Sequence, residues 1–157
     1  MRALIFLAAL TLAAPVAADD GRWTLAVSRI VQGGDANESD MMAIGSLRTG
    51  PVLPLGLWPD YALGVGESGE AFLSVGLGRS FDIGGAALSV RTGPALFRSN
   101  VAGADAGERV QFYSAIGLSA PVGPVNLGLS IGHISNANID PATADYDLVG
   151  LTVGMRF

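Results

Sequence analysis

The chain has 157 residues, half of them apolar, with 22 glycines, 8 prolines, no cysteine and a net charge of −5. Disulfides are excluded as a source of stability, and the acidic balance excludes the basic surface that nucleic-acid binding calls for. All the basic residues are arginine.

The first segment reads as an export signal. Met1-Arg2 gives a positive start, Ala3 to Ala14 an apolar run of about a dozen residues, and Pro15 to Ala18 a small-residue stretch before Asp19-Asp20. The run is well short of the roughly 20 residues that a transmembrane helix needs. Residues 1–18 are therefore expected to be a cleaved signal peptide, with residues 19–157 forming one domain.

Beyond the signal no uninterrupted apolar stretch approaches 18 residues, although mean hydropathy is positive. A helical membrane protein is thus ruled against. Glycine and proline punctuate the chain while apolar residues alternate with small or polar ones between them, the pattern of many short strands. Strands are expected near 22–31, 41–49, 53–65, 70–79, 86–97, 110–119, 124–135 and 147–157. The third is interrupted by Pro54 and Pro59, which a sheet tolerates only at edges, strand starts or bulges.

The alternation is clearest late in the chain. Val125, Leu127, Leu129 and Ile131 alternate with Asn126, Gly128, Ser130 and Gly132. Val149, Leu151, Val153, Met155 and Phe157 alternate with Gly150, Thr152, Gly154 and Arg156. In a membrane barrel the apolar set faces lipid and the lumen takes the small and polar set. The expected fold is all-β, an eight-stranded antiparallel transmembrane β-barrel of the outer membrane, closed by an even number of strands and ending on the aromatic Phe157.

Connection lengths support this arrangement. Thr49 to Pro51, Phe81 to Gly85 and Pro121 to Gly123 are short, as periplasmic turns are, whereas Gln32 to Asp40, Arg98 to Arg109 and Asn136 to Tyr146 are longer and more polar, as outer loops are. Trp23 and Trp58 are expected in interfacial aromatic girdles. Arg22, Arg91 and Arg156 are expected to point inward and pair with lumen acids such as Glu70. Arg98 and Arg109 read first as loop charges, with lipid phosphates at the membrane surface as their alternative partner.

The only histidine, His133, has Ser135 two residues on, and a strand places both on one face. Their parity is that of Leu127, Leu129 and Ile131, so both face lipid; Asp147 shares the parity of Phe157 and does so too. If Val125 lies opposite Phe157, Ser135 faces Asp147 with His133 on the diagonal. A slip of two residues puts His133 directly opposite Asp147, and the pleat allows either register. Asp147 lies ten residues before Phe157, about the length of one membrane crossing, so the three groups gather at the outer interface. A serine, a histidine base and an orienting carboxylate are the parts of an acyl-transfer triad. The plain alternative is that a loop-edge His and Ser are only solvated, and that Asp147, like Asp140 and Asp145, is surface charge.

The segment His133-Ile134-Ser135-Asn136-Ala137 resembles the lipid A 3-O-deacylase (PagL-like) family, which carries His-x-Ser-Asn-Ala on the seventh strand of an eight-stranded barrel. The resemblance implies an outer-membrane esterase, acting without metal or cofactor, that releases a 3-hydroxy fatty acid from position 3 of lipid A. It implies Ser135 as nucleophile, His133 as base and Asp147, fourteen positions after the histidine, as the acid. It further implies oxyanion or positioning roles for Asn136, through its backbone N–H, and for the outward Phe112. The chain departs from the family in its acid, commonly Glu, and in Ala142-Thr143-Ala144, where many members have Asn. The expected partners are lipid A in lipopolysaccharide and the outer membrane, with a homodimer left open. Two rival readings stand beside this one: a non-enzymatic barrel, structural or adhesin-like, and a soluble secreted barrel with its apolar face inward.

Overall fold

The structure, a computed structural model, describes residues 21–32, 41–49, 53–67, 69–98, 110–136 and 145–156. The signal segment, Phe157, Arg109, Thr143 and most of the three long loops lie outside them. Eight strands form one closed antiparallel barrel: β1 (Arg22–Gln32), β2 (Met41–Arg48), β3 (Trp58–Gly66), β4 (Ala71–Ile83), β5 (Ala86–Arg98), β6 (Val110–Val122), β7 (Val125–Ser135) and β8 (Tyr146–Arg156). β8 pairs back onto β1, so no edge is left for another chain to extend. Among the described residues no helix is long and apolar enough to cross a membrane.

The strands fall close to where the alternation places them, with the third starting later and the fourth and sixth running on further. β3 starts at Trp58, and the residues before it form a 3₁₀ turn at Pro54–Gly56 closed by a bridge between Leu53 and Leu57. Pro54 has no N–H for a ladder, and Leu55 and Gly56 both take positive φ, so the chain turns here. Pro59 is accommodated as the second residue of the strand, opposite Leu77.

The turns on the inner side are tighter than expected. Strands β4 and β5 run on through Ile83 and from Ala86 because Gly84 and Gly85, both at positive φ, make the two-residue turn alone. Gly123 at φ 60° followed by Pro124 does the same between β6 and β7.

The registers fix the tilt of the strands. The cross-strand row through Gln111, Ala95, Ser74, Ala62, Ser46, Thr24 and Gly154 meets β7 at Asn126, while on the other side Gln111 stands level with Asn136. One circuit therefore steps ten residues down β7, from 136 to 126. Ten residues at ~3.3 Å against eight spacings of ~4.8 Å correspond to a tilt of about 40°.

The outward face is apolar. Leu129, Ile131, Val149 and Leu151 are each more than half exposed, and a continuous apolar band of this kind is the surface a bilayer covers.

The lumen corrects the expectation of a polar and small interior. Its outer half is filled by a core that includes Met42, Ile44, Phe72, Phe97, Tyr113, Ile134, Tyr146 and Leu148. The Phe72 and Tyr113 rings lie 4.7 Å apart and those of Phe97 and Tyr146 4.9 Å apart. Eight strands enclose a space about as wide as the side chains that fill it, so larger apolar residues at inward positions pack against one another. Gly64 makes room for this: the Phe72 ring occupies the space that a side chain there would need.

Polar groups line the inner half. Arg91 donates to Ser46 Oγ at 2.6 Å and pairs with Asp60 at 3.8 Å. Asp60 thus takes the role expected of Glu70, which is buried near Gly66 at the outer side. Trp58 is not in a girdle: it is buried, with the Arg48 guanidinium 4.2 Å from its ring centre and the chain at Gly78 beneath it. Trp23 shares the outward parity of Leu25 and Val27 and pairs with Leu47 and Met155 near the inner end.

Candidate active site

On β7 the side chains of Leu127, Leu129, Ile131 and His133 are exposed, while Gly132, Ile134 and then Asn136 are buried. On β8 Asp147, Val149, Leu151 and Val153 are exposed, while Tyr146, Leu148 and Thr152 are buried. The period of two thus carries His133, Ser135 and Asp147 to the exterior wall. Of the two registers open to the sequence, the structure adopts the one that places His133 directly opposite Asp147. Gly132, level with Leu148, leaves the space taken by the Tyr113 and Leu148 side chains, so the interior packing and the exterior pairing are met by one register.

His133 Nδ1 and Asp147 Oδ1 are 2.8 Å apart, a full-strength hydrogen bond. Both side chains are about half exposed, 46% and 57%. With Nδ1–H donated to the carboxylate, the lone pair on Nε2 is the one free to take a proton.

Ser135 follows on the same face and stands opposite Phe112 of β6, which is outward and 40% exposed. The structure thus places Phe112 beside Ser135. Asn136 is only 4% exposed, on the inward parity, so its side chain is not in the exterior group and only its backbone adjoins Ser135. The loop residue Thr143 falls outside the described residues.

A polar pair here was missed by the sequence reading. Ser114 of β6 stands opposite His133, and Thr92 of β5 opposite Ser114; their hydroxyl oxygens are 2.8 Å apart on the exterior. The signal was available as two hydroxyl residues at outward positions otherwise held by residues such as Ile116 and Leu118.

Among the described residues the interior offers no comparable site. The polar cavity bounded by Arg22, Arg48, Asp60 and Arg91 has a volume of about 80 Å³, room for a few waters and not for an acyl chain, and it lies in the inner half of the barrel, away from His133 near the outer end of β7. Among the described residues, no three His, Cys, Asp or Glu side chains converge as metal ligands would. The arrangement can therefore deprotonate a hydroxyl at an apolar surface, within reach of a substrate that arrives sideways through lipid.

Comparison with known proteins bears on this arrangement. The family model described as lipid A 3-O-deacylase (PagL) matches residues 47–156. No curated protein matches the chain in sequence. Among solved structures, the outer membrane enzyme PagL superposes with a TM-score of 0.61 at 16% identity, covering 85% of this chain and 99% of that one. The N-terminal β-barrel domain of Pseudomonas aeruginosa OprF gives 0.58 at 14% identity, covering 89% and 98%. A de novo designed transmembrane β-barrel gives 0.54 at 17% identity, covering 87% and 95%. At these identities the structural likeness speaks to the fold; the family match speaks to the kind of barrel.

Proposed function

The chain belongs to the lipid A 3-O-deacylase (PagL) family as an outer-membrane β-barrel, and from that premise we propose that it removes the 3-O-linked 3-hydroxyacyl chain of lipid A with Ser135, His133 and Asp147. The observation that carries this reading is the 2.8 Å contact between His133 Nδ1 and Asp147 Oδ1 on the lipid-facing wall, with Ser135 on the same face. Export by a signal peptide over residues 1–18 delivers the barrel to the membrane in which this substrate resides.

His133 Nε2 takes the proton of Ser135 as Oγ attacks the ester carbonyl carbon. The tetrahedral oxyanion is met by backbone N–H donors near Asn136. Collapse breaks the bond to the sugar oxygen, which takes the proton from the imidazolium and leaves as the 3-hydroxyl of the glucosamine. Water, deprotonated by His133, then cleaves the acyl-serine ester and releases the fatty acid. Asp147 holds the imidazole in the Nδ1–H tautomer and stabilises the imidazolium formed at each step. Phe112 packs beside the attacked carbonyl and helps to keep water off the hydrophobic side.

The test is mass spectrometry of lipid A from cells making the wild-type chain or Ser135→Ala, with heat-modifiable gel mobility establishing that both barrels fold. Loss of one 3-hydroxyacyl chain in the wild type alone supports the reading. Unchanged lipid A with folded wild-type barrel, in cells whose lipid A carries that chain, rejects it in favour of a non-enzymatic barrel.

A further inference from the structure

The hydroxyl pair beside His133 has a defined place below the nucleophile. Moving from β7 to β6 along a cross-strand row descends toward the inner side, as the ten-residue step per circuit requires. With strands tilted by about 40°, each crossing lowers a residue by about 3 Å, whereas two residues outward along β7 raise it by about 5 Å. Both moves shift sideways in the same sense by about 4 Å. Ser114 therefore lies nearly straight beneath Ser135, about 8 Å deeper along the barrel axis, a separation close to the roughly 7–8 Å of a diagonal cross-strand pair.

The pair is also chemically incomplete. Ser114 Oγ and Thr92 Oγ1 share one hydrogen bond, in which either can be the donor, so one of the two O–H groups is left over. Both residues have outward parity on a wall otherwise lined by Val90, Ile116 and Leu118, where a hydroxyl without a partner is costly to place in hydrocarbon. Among the described residues no side chain or backbone group takes the remaining O–H.

We infer that the Ser114–Thr92 pair binds the hydroxyl on the third carbon of the acyl chain being cleaved and so makes the enzyme selective for 3-hydroxyacyl esters over plain acyl esters. This rests on the deacylase reading above. With the sugar at the interface, the acyl chain hangs from the ester into the leaflet, along the line from Ser135 to Ser114. Its carbonyl carbon sits about 3–3.5 Å from Ser135 Oγ at attack, its hydroxyl-bearing carbon is two bonds further down, and a hydrogen bond of about 2.8 Å completes the span to Ser114. A plain acyl chain leaves the spare O–H unmet.

The experiment measures kcat/KM by mass spectrometry for purified protein in mixed micelles. It compares two lipid A substrates that differ only in carrying a 3-hydroxyacyl or an unhydroxylated acyl chain of the same length at position 3. The wild type is expected to prefer the hydroxylated substrate by roughly 3- to 10-fold, the worth of one hydrogen bond. Ser114→Ala with Thr92→Val is expected to bring the ratio near one, and Thr92→Val alone, a change of equal volume, to lower it in part. Ser114→Thr, which keeps the hydroxyl, is expected to keep the preference. A ratio unchanged in the folded double variant, or a wild type without preference, overturns the inference while leaving the deacylase reading intact. A folded wild type inactive on both substrates overturns the deacylase reading and this inference with it.

Discussion

His133 and Asp147 face each other across β7 and β8 with 2.8 Å between Nδ1 and Oδ1, and neither residue has a burial requirement that would bring it there. On the other side of the same wall Ile134, Tyr146 and Leu148 enter the apolar core. The pairing proposed as catalytic shares its two strands with this interior packing, and disturbing the core is expected to disturb the proposed chemistry.

Asp147→Asn separates orientation from charge. The amide keeps the shape but loses the charge that stabilises imidazolium and can hold the wrong tautomer. Deacylation is expected to fall by about 10² to 10³, below the ~10⁴ cost of the corresponding change in a buried triad, because Asp147 is half exposed and water already screens it. Asp147→Glu is expected to retain most activity. Rates from purified folded variants decide it, and an Asn variant as fast as wild type would remove Asp147 from the mechanism.

Two glycines on neighbouring strands should respond oppositely to alanine. A Cβ on Gly64 would enter the Phe72 ring, whereas one on Gly45 meets nothing within 4 Å. Gly64→Ala is expected to destabilise the barrel by about 1–3 kcal/mol through overpacking, and Gly45→Ala to stay within about 0.5 kcal/mol of wild type. Urea titration followed by heat-modifiable mobility reads both; equal midpoints would show that Phe72 moves aside freely.

The inner polar half should be separable from the chemistry. Arg91 is held by Asp60 and Ser46 inside the barrel, so Asp60→Ala leaves a largely buried guanidinium without its carboxylate and is expected to cost about 3–5 kcal/mol. Replacing both, as Asp60→Leu with Arg91→Met, is expected to cost less than the single change. Under conditions where either variant is folded, the Ser135-dependent release of acyl chain should persist; its loss in a folded variant would tie the inner pair to the site.

Much of this was legible in the sequence because the period of two is strict where one face meets lipid. That period fixed the outward parity of His133, Ser135 and Asp147 from Leu127, Leu129 and Leu151. It could not choose between registers two residues apart, since both keep every side chain on its own face; in the register adopted, Tyr113 and Leu148 close in on the space beside Gly132. The lumen was misjudged for a related reason. Inward positions near the inner ends hold Asn126, Gly128 and Ser130, and extending their character outward missed Phe72, Phe97, Tyr113 and Tyr146, whose inward parity places them together. Trp58 was assigned to a girdle from residue type alone, whereas its position level with Gly78 leaves it an interior slot.

The lipid-facing reading of the wall carries its own test, at a distance from the triad. Leu129 and Leu151 are cross-strand partners, 61% and 67% exposed, some way down the outward face. If a bilayer covers them, Leu151→Arg should destabilise the folded barrel in lipid by about 2–4 kcal/mol, falling off for arginine placed nearer the rims. The neighbouring inward Thr152 gives the contrast: Thr152→Ser faces the polar inner lumen and is expected to shift the urea midpoint little. In a soluble barrel the order would reverse, because an arginine replacing an exposed leucine gains water while any change inside the wall disturbs packing. Folding measurements in vesicles of defined thickness separate the two, since only the membrane reading makes the Leu151→Arg penalty depend on depth.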